Sequence, residues 1–149
     1  MMADAFFRLP LSHKKLFIKA WLMFLIWDWR ISKQPYQKWK GHIFTPDQFQ
    51  SAKTPVPESF ISVIEKAGRH HIRKMNCLRR CLVTMSLLND LKIYPGLHFG
   101  VRIAAGKTEA HCWLTHDGII INDSYDVVST YTELRTKKGS EQAFLSALT

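Results

Sequence analysis

At 149 residues the chain is the size of one compact domain and can bury a substantial core. Its net charge of +9 is spread over Lys14-Lys15, Lys38 to Lys40, Arg69 to Lys74, Arg79-Arg80 and Lys137-Lys138, which suits an acidic peptide or partner protein as well as nucleic acid. Three cysteines, an odd number without a secretory signal, exclude a disulfide framework and point to reduced thiols in a cytoplasm.

After Pro10 and a Ser12 cap, residues 16–29 form a helix that is apolar almost all round. Its uninterrupted stretch from Ala20 to Trp27 is far short of the ~20 residues a membrane span requires. Asp28, Trp29 and Arg30 follow where a secretory cleavage site would need small residues. The expectation is a buried or partner-covered helix in preference to one lying on a membrane surface. Residues 32–56, with Pro35, Gly41, Pro46 and Pro55, read as a connector carrying one short helical turn. Phe60, Val63, Ile64 and Ala67 then predict an amphipathic helix from Pro57 to about Met75. The next runs from Cys77 to about Leu91, with Leu78, Cys81, Leu82, Met85 and Leu88 facing a core, and Tyr94-Pro95-Gly96 ends it. Leu97, Phe99, Val101 and Ile103 alternate as a first strand, and Ala105-Gly106-Lys107 turns into a second over 109–115. A third strand covers 119–123, and the tail from Tyr131 ends in a short amphipathic piece, Glu141 to Leu148. The expected fold is α+β: a helical amino-terminal half (1–55, helix and connector) leading into a core over 56–149 built on an antiparallel sheet, all one unit.

The chemistry gathers at Cys77. Asn76 is a preferred N-cap, so it can accept a bond from an early helical N–H and leave Cys77 at the first helical position. There the helix dipole and the nearby Arg79 and Arg80 favour a thiolate. Free cysteine is also a common core residue, so position alone leaves both readings open. His111 and Asp123 shift the balance, because a thiol, an imidazole and a carboxylate are the parts of a nucleophile, its base and its orienting acid.

The loop between the last two strands decides whether base and acid can meet. If His116-Asp117-Gly118 is a three-residue loop, Thr115 faces Ile119 and His111 lies directly opposite Asp123, with β-carbons roughly 5 Å apart. A two-residue Asp117-Gly118 turn places the two on opposite faces instead. The triad expectation therefore carries a three-residue loop with it, and Asp126 is the substitute carboxylate if the register fails.

Cys77-Leu78-x-Arg80, then Phe99-Gly100-Val101-Arg102, Ala110-His111-Cys112-Trp113 and Ile121-Asn122-Asp123, together resemble the transglutaminase-like cysteine peptidases of lasso peptide biosynthesis. These are the B-type proteins that remove the leader from a ribosomally made precursor. The resemblance covers roughly residues 55–135 and implies a transglutaminase-like, papain-like fold with catalytic Cys77, His111 and Asp123. The amino-terminal helix is similar to that of the stand-alone form. Cys112 stands where the family usually has a small residue such as Ala, and strand alternation directs its side chain away from His111. The backbone N–H of Cys77 is the expected oxyanion donor, with Gln48 and Gln50 as candidates for a second. Residues 1–55 are too hydrophobic and too poor in strand pattern to supply the leader-binding domain that some members carry fused. The resemblance thus implies three partners: the precursor peptide, a separate leader-binding protein and an ATP-using lasso cyclase. It implies no cofactor, no metal and a cytoplasmic location.

Three other readings fit parts of the sequence. A zinc site drawn from His70, His71, Cys77, Cys81, His111 or Cys112 lacks paired knuckle spacing, and no phosphate loop occurs. Charge and five tryptophans suggest a non-enzymatic basic binding module, yet no nucleic-acid recognition signature accompanies them. A transglutaminase-like acyl transferase would share the triad and differ only in its acceptor.

Overall fold

A computed structural model of the chain describes residues 6–42 and 53–134. The architecture is α+β, a layer of helices against one curled antiparallel sheet. The expected tail piece Glu141 to Leu148 lies outside the described residues.

Helix α1, Leu11–Lys33, is longer than its apolar run. It begins directly after Pro10, whose carbonyl accepts from Lys14 N at 2.9 Å, so Ser12 lies within the first turn and caps nothing. Ala20, Phe24, Trp27 and Asp28 form its buried stripe, at the helical spacing of 4, 3 and 1 residues. Ile18, Leu22, Leu25, Ile26 and Trp29 form a second apolar stripe that this chain leaves between 38% and 56% exposed. The expectation of a covered helix thus holds for one face only. No described helix is long and apolar enough to cross a membrane. The connector contributes α2, Tyr36–Trp39, whose buried Trp39 meets Trp27 edge-on at 6.4 Å.

Helix α3, Glu58–Arg69, stops well short of Met75. The reason is local: the His71 Nδ1 accepts the backbone N–H of Arg73 at 3.2 Å, a side-chain turn that competes with continued helix. Arg73 is then drawn to Asp28 of α1 at 2.9 Å. Gly68 lets α1 and α3 approach closely, since a β-carbon there would lie 2.9 Å from Phe24 Cζ. Helix α4, Cys77–Asn89, is capped as expected, with Asn76 Oδ1 accepting from Arg79 N at 3.0 Å. It is buried along most of its length by Leu78, Cys81, Leu82, Val83, Met85, Leu87 and Leu88. Arg79 is 8% exposed and pairs with Asp28, 5% exposed, at 2.8 Å, which locks the first turn of α4 to α1. Trp27 Nε1 donates to Ser86 Oγ at 3.0 Å and repeats the tie further along.

Strand β1, Gly96–Ala104, pairs with β2, Lys107–His116, so that Phe99 faces Cys112 and Gly100 faces His111. Strand β3, Ile119–Ile120, flanks β2, and after the short α5, Tyr125–Val128, strand β4, Thr132–Glu133, flanks β1. Leu97, Phe99, Cys112 and Leu114 carry the sheet's contribution to the core beneath α4.

The β2–β3 hairpin corrects the expected register. Thr115 pairs with Ile120 and His116 with Ile119, across a two-residue Asp117-Gly118 turn. Both turn residues take positive φ, 48° and 78°, the pair of left-handed conformations that match the twist of flanking strands. His116 accordingly stays in β2, buried, with its Nε2 at 3.2 Å from the Thr54 carbonyl.

Removing Asp28 leaves a buried guanidinium without its partner, and Asp28→Ala is expected to cost about 3–5 kcal/mol. Urea unfolding measures this. A loss within the surface range of about 0.5 kcal/mol would show that the pair does not hold α1 to α4.

Candidate active site

Cys77 is the first residue of α4 and is half-buried, with its first turn held by the Asn76 cap. Its thiol meets two groups of β2, the Cys112 thiol and the His111 ring. Together they bring its pKa down to about 4: the hydrogen bond from Cys112 contributes most, burial opposes it, and the bond from His111 adds to the lowering. His111 is raised in turn, first by its hydrogen bond to Cys77 and then, against burial, by Asp123. Both shifts favour a thiolate beside an imidazolium.

Cys112 lies on the face of β2 opposite His111, as alternation requires, and is buried in the core. It nonetheless reaches Cys77, because the head of α4 packs over β2 at this point. The Cys112 Sγ also approaches Cys81 Sγ at 3.7 Å. One proton cannot serve both sulfurs, and the charge-assisted bond to the Cys77 thiolate is the stronger. Its bond to Cys77 first, then its contact with Cys81 and its burial, push the Cys112 thiol well up, so it stays the donor.

The imidazole is fixed from the other side. His111 Nε2 lies 2.5 Å from Asp123 Oδ2, which leaves Nδ1 as the nitrogen available to Cys77. The Asp123 Oδ1 accepts from Ser124 N at 2.8 Å. Tyr131 and Trp113 flank the ring, with centroids 5.0 and 6.2 Å away. Gly100, across the strand from His111, makes this packing possible. A β-carbon at Gly100 would lie 2.9 Å from both Trp113 Cζ3 and Tyr131 Cβ.

His111 and Asp123 meet even though the register expected to bring them together is absent. Continued regularly, a two-residue hairpin would set Asp123 on the face away from His111. The chain leaves the ladder first. Ile121 N donates to Leu114 O at 3.0 Å, but Leu114 N donates to the Asn122 side-chain oxygen at 2.7 Å, not to a backbone carbonyl of the strand. That substitution ends β3 and opens a bend at 122–123 that swings Asp123 to the imidazole. The Asn122 Nδ2 meanwhile donates to Cys81 Sγ at 3.2 Å, tying the bend to α4. Asn122 belongs to the Ile121-Asn122-Asp123 motif, yet its role was not visible in the sequence. An Asn just before the carboxylate, four residues past a two-residue turn, is the signal that could have shown it.

Asp126 lies in exposed α5, and Gln48 and Gln50 lie outside the described residues. Among the described residues, no three His, Cys, Asp or Glu side chains converge as metal ligands.

A thiol at a helix start, an imidazole on the adjoining strand and a carboxylate after the next strand are the groups that a cysteine nucleophile, its base and its orienting acid require. Residues 28–136 match the transglutaminase-like superfamily, and the chain belongs to it. Members of this superfamily are usually cysteine peptidases or transferases. No curated protein and no solved structure matches the chain.

With a thiol pKa of about 4, Cys77 should react with iodoacetamide at full rate down to about pH 5, whereas a free thiol near 8.5 does not. The sign follows from the charges: the thiolate is lost only as pH falls through the folded value, and the imidazolium only as pH rises through its own raised value. Cys112→Ala should move the alkylation midpoint upward, while Cys81→Ala moves it less. Mass-spectrometric rates against pH read both, and a Cys112→Ala midpoint equal to wild type would refute the thiol–thiolate bond. Asn122→Ala should lower thermal stability and release Asp123, detected as a downward shift of the His111 titration by NMR. An unmoved His111 would show that the bend forms without the Asn122 side chain.

Proposed function

We propose that this protein is a cysteine peptidase that cleaves the leader from a ribosomally made lasso precursor peptide, with Cys77, His111 and Asp123 as its catalytic triad. The observation that carries the reading is the 2.5 Å contact of His111 Nε2 with Asp123 beside a Cys77 thiol whose pKa is depressed to about 4. The motifs of the α4 head and of the β2 and β3 strands supply the lasso assignment.

In this mechanism the Cys77 thiolate attacks the scissile carbonyl and forms a tetrahedral intermediate. The first-turn amides of α4 have no partner within the helix, and the Cys77 N–H is the donor offered to the oxyanion. Imidazolium His111 gives its proton to the leaving amine, which departs as the new amino terminus of the core peptide. The leader's last residue remains as a thioester on Cys77. Neutral His111 then takes a proton from water, hydroxide displaces the thiolate, and the leader leaves as a free acid. Asp123 holds the ring tautomer and stabilises the charge it carries in each half. An amine in place of water would give acyl transfer, the other chemistry of the superfamily.

A separate leader-binding protein would present the precursor, and the exposed stripe of Ile18, Leu22, Leu25, Ile26 and Trp29 on α1 is its docking face in this reading. The ATP-using lasso cyclase would act on the released core peptide.

Cys77→Ala should abolish cleavage with the fold intact, and Asp123→Asn should reduce it roughly 10²–10⁴-fold. Product masses with and without added amine separate hydrolysis from transfer, and activity retained in Cys77→Ala would end the thiol mechanism. Leu22→Lys should stay folded and lose acceleration by the leader-binding protein. An unfolded variant, or full speed without that protein, would refute the docking face.

A further inference from the structure

A cavity of about 380 Å³ opens between the end of α3, the 70–76 segment and the head of α4. Arg69, His71, Arg73, Lys74, Met75 and Arg80 contribute to its walls. It adjoins the nucleophile along the chain: Met75 comes just before the Asn76-Cys77 cap, and Arg80 lies on the same first turns of α4 as Cys77. Arg80 also feels the charge of Asp123.

The charges around this space do not cancel. Arg73 and the buried Arg79 share a single carboxylate, Asp28, at 2.9 and 2.8 Å, and Arg80 pairs with Glu65. Arg69 and Lys74 make no ion pair among the described residues. Burial keeps His71 below its usual range, so it adds no charge at neutral pH. Counting the buried Arg79, which is not part of the wall, five cations share two carboxylates, and three positive charges are left unmatched around the space. The carboxylates hold Arg73 and Arg80 in place with guanidinium N–H groups to spare, which makes them pre-ordered donors for an oxyanion.

We propose that this cavity is an anion subsite of the active site and takes a substrate carboxylate, an acidic side chain within a few residues of the bond that Cys77 attacks. The inference rests on Cys77 being the nucleophile and extends that reading to the charge of the peptide it accepts.

The test compares alkylation of Cys77 by iodoacetate and iodoacetamide, reagents that share a leaving group and differ in charge, with mass spectrometry as the readout. The iodoacetate-to-iodoacetamide rate ratio should exceed that of N-acetylcysteine amide. It should fall about fourfold in Arg69→Gln/Lys74→Gln, the factor two unit charges ~10 Å away supply at a water-like dielectric constant. It should also fall in high salt. In a second arm, an acetylated tetraglutamate amide should protect Cys77 from iodoacetamide in the wild type and not in the double variant, whereas the tetraglutamine analogue protects neither. An unchanged ratio together with no selective protection overturns the subsite. Equal protection by inorganic phosphate overturns its assignment to a peptide carboxylate. Because alkylation needs no cleavable peptide, these results stand apart from whether the chain is a peptidase. Loss of iodoacetamide reactivity at neutral pH in the wild type would instead overturn the thiolate reading on which both depend.

Discussion

The buried pair between Asp28 and Arg79 is the constraint on which the site depends. Arg79 is held at both ends: its backbone N–H by the Asn76 cap and its guanidinium by Asp28. Fixing that one residue fixes the first turn of α4, and with it the direction in which Cys77 leaves the helix. The pair is costly to desolvate, which is why Arg73 and Ser32 supply further polar contacts around it. The amino-terminal helix is thus part of the foundation of the site, not an appendage, and the superfamily match itself begins at Asp28.

From that foundation the thiolate is stabilised from two sides of one strand. His111 approaches from the face that carries Trp113 and Tyr131, while Cys112 approaches from the core. Because β2 alternates, a single strand delivers an acid to each flank of the sulfur, one of them charged and one neutral. The charged acid can give up its proton during a reaction. The neutral one, buried and pushed upward, cannot, and acts as a fixed dipole.

Much of this was legible in the residues. The Asn76 cap, the helix from Cys77, the alternation of β1 and β2 and the α+β order all follow from patterns of period 3.6 or 2 and from one capping preference. The misses share a different cause. Helix α3 ends early because the His71 side chain competes for a backbone N–H. The hairpin closes in two residues because Asp117 tolerates positive φ beside Gly118. Asp123 reaches His111 because the Asn122 side chain takes a backbone's place. Each turns on what one polar residue does to its local backbone, and hydrophobic periodicity carries no record of that. The reach of Cys112 was hidden for another reason: alternation gives the face of a strand but not which helix end crosses it.

The bend at 122–123 also gives the three side chains of the site uneven lifetimes. Cys77 belongs to the most deeply buried helix, whose opening requires disrupting the core itself. Asp123 hangs on a bend anchored by the Asn122 side chain and followed by exposed residues of α5. Local openings follow buried apolar contact, so the carboxylate end should open far more often than the thiol end. In hydrogen-exchange terms the three partners belong to different protection classes. The fraction of molecules with the His111–Asp123 contact formed is then governed by the bend, and any ligand that covers it raises that fraction without touching Cys77.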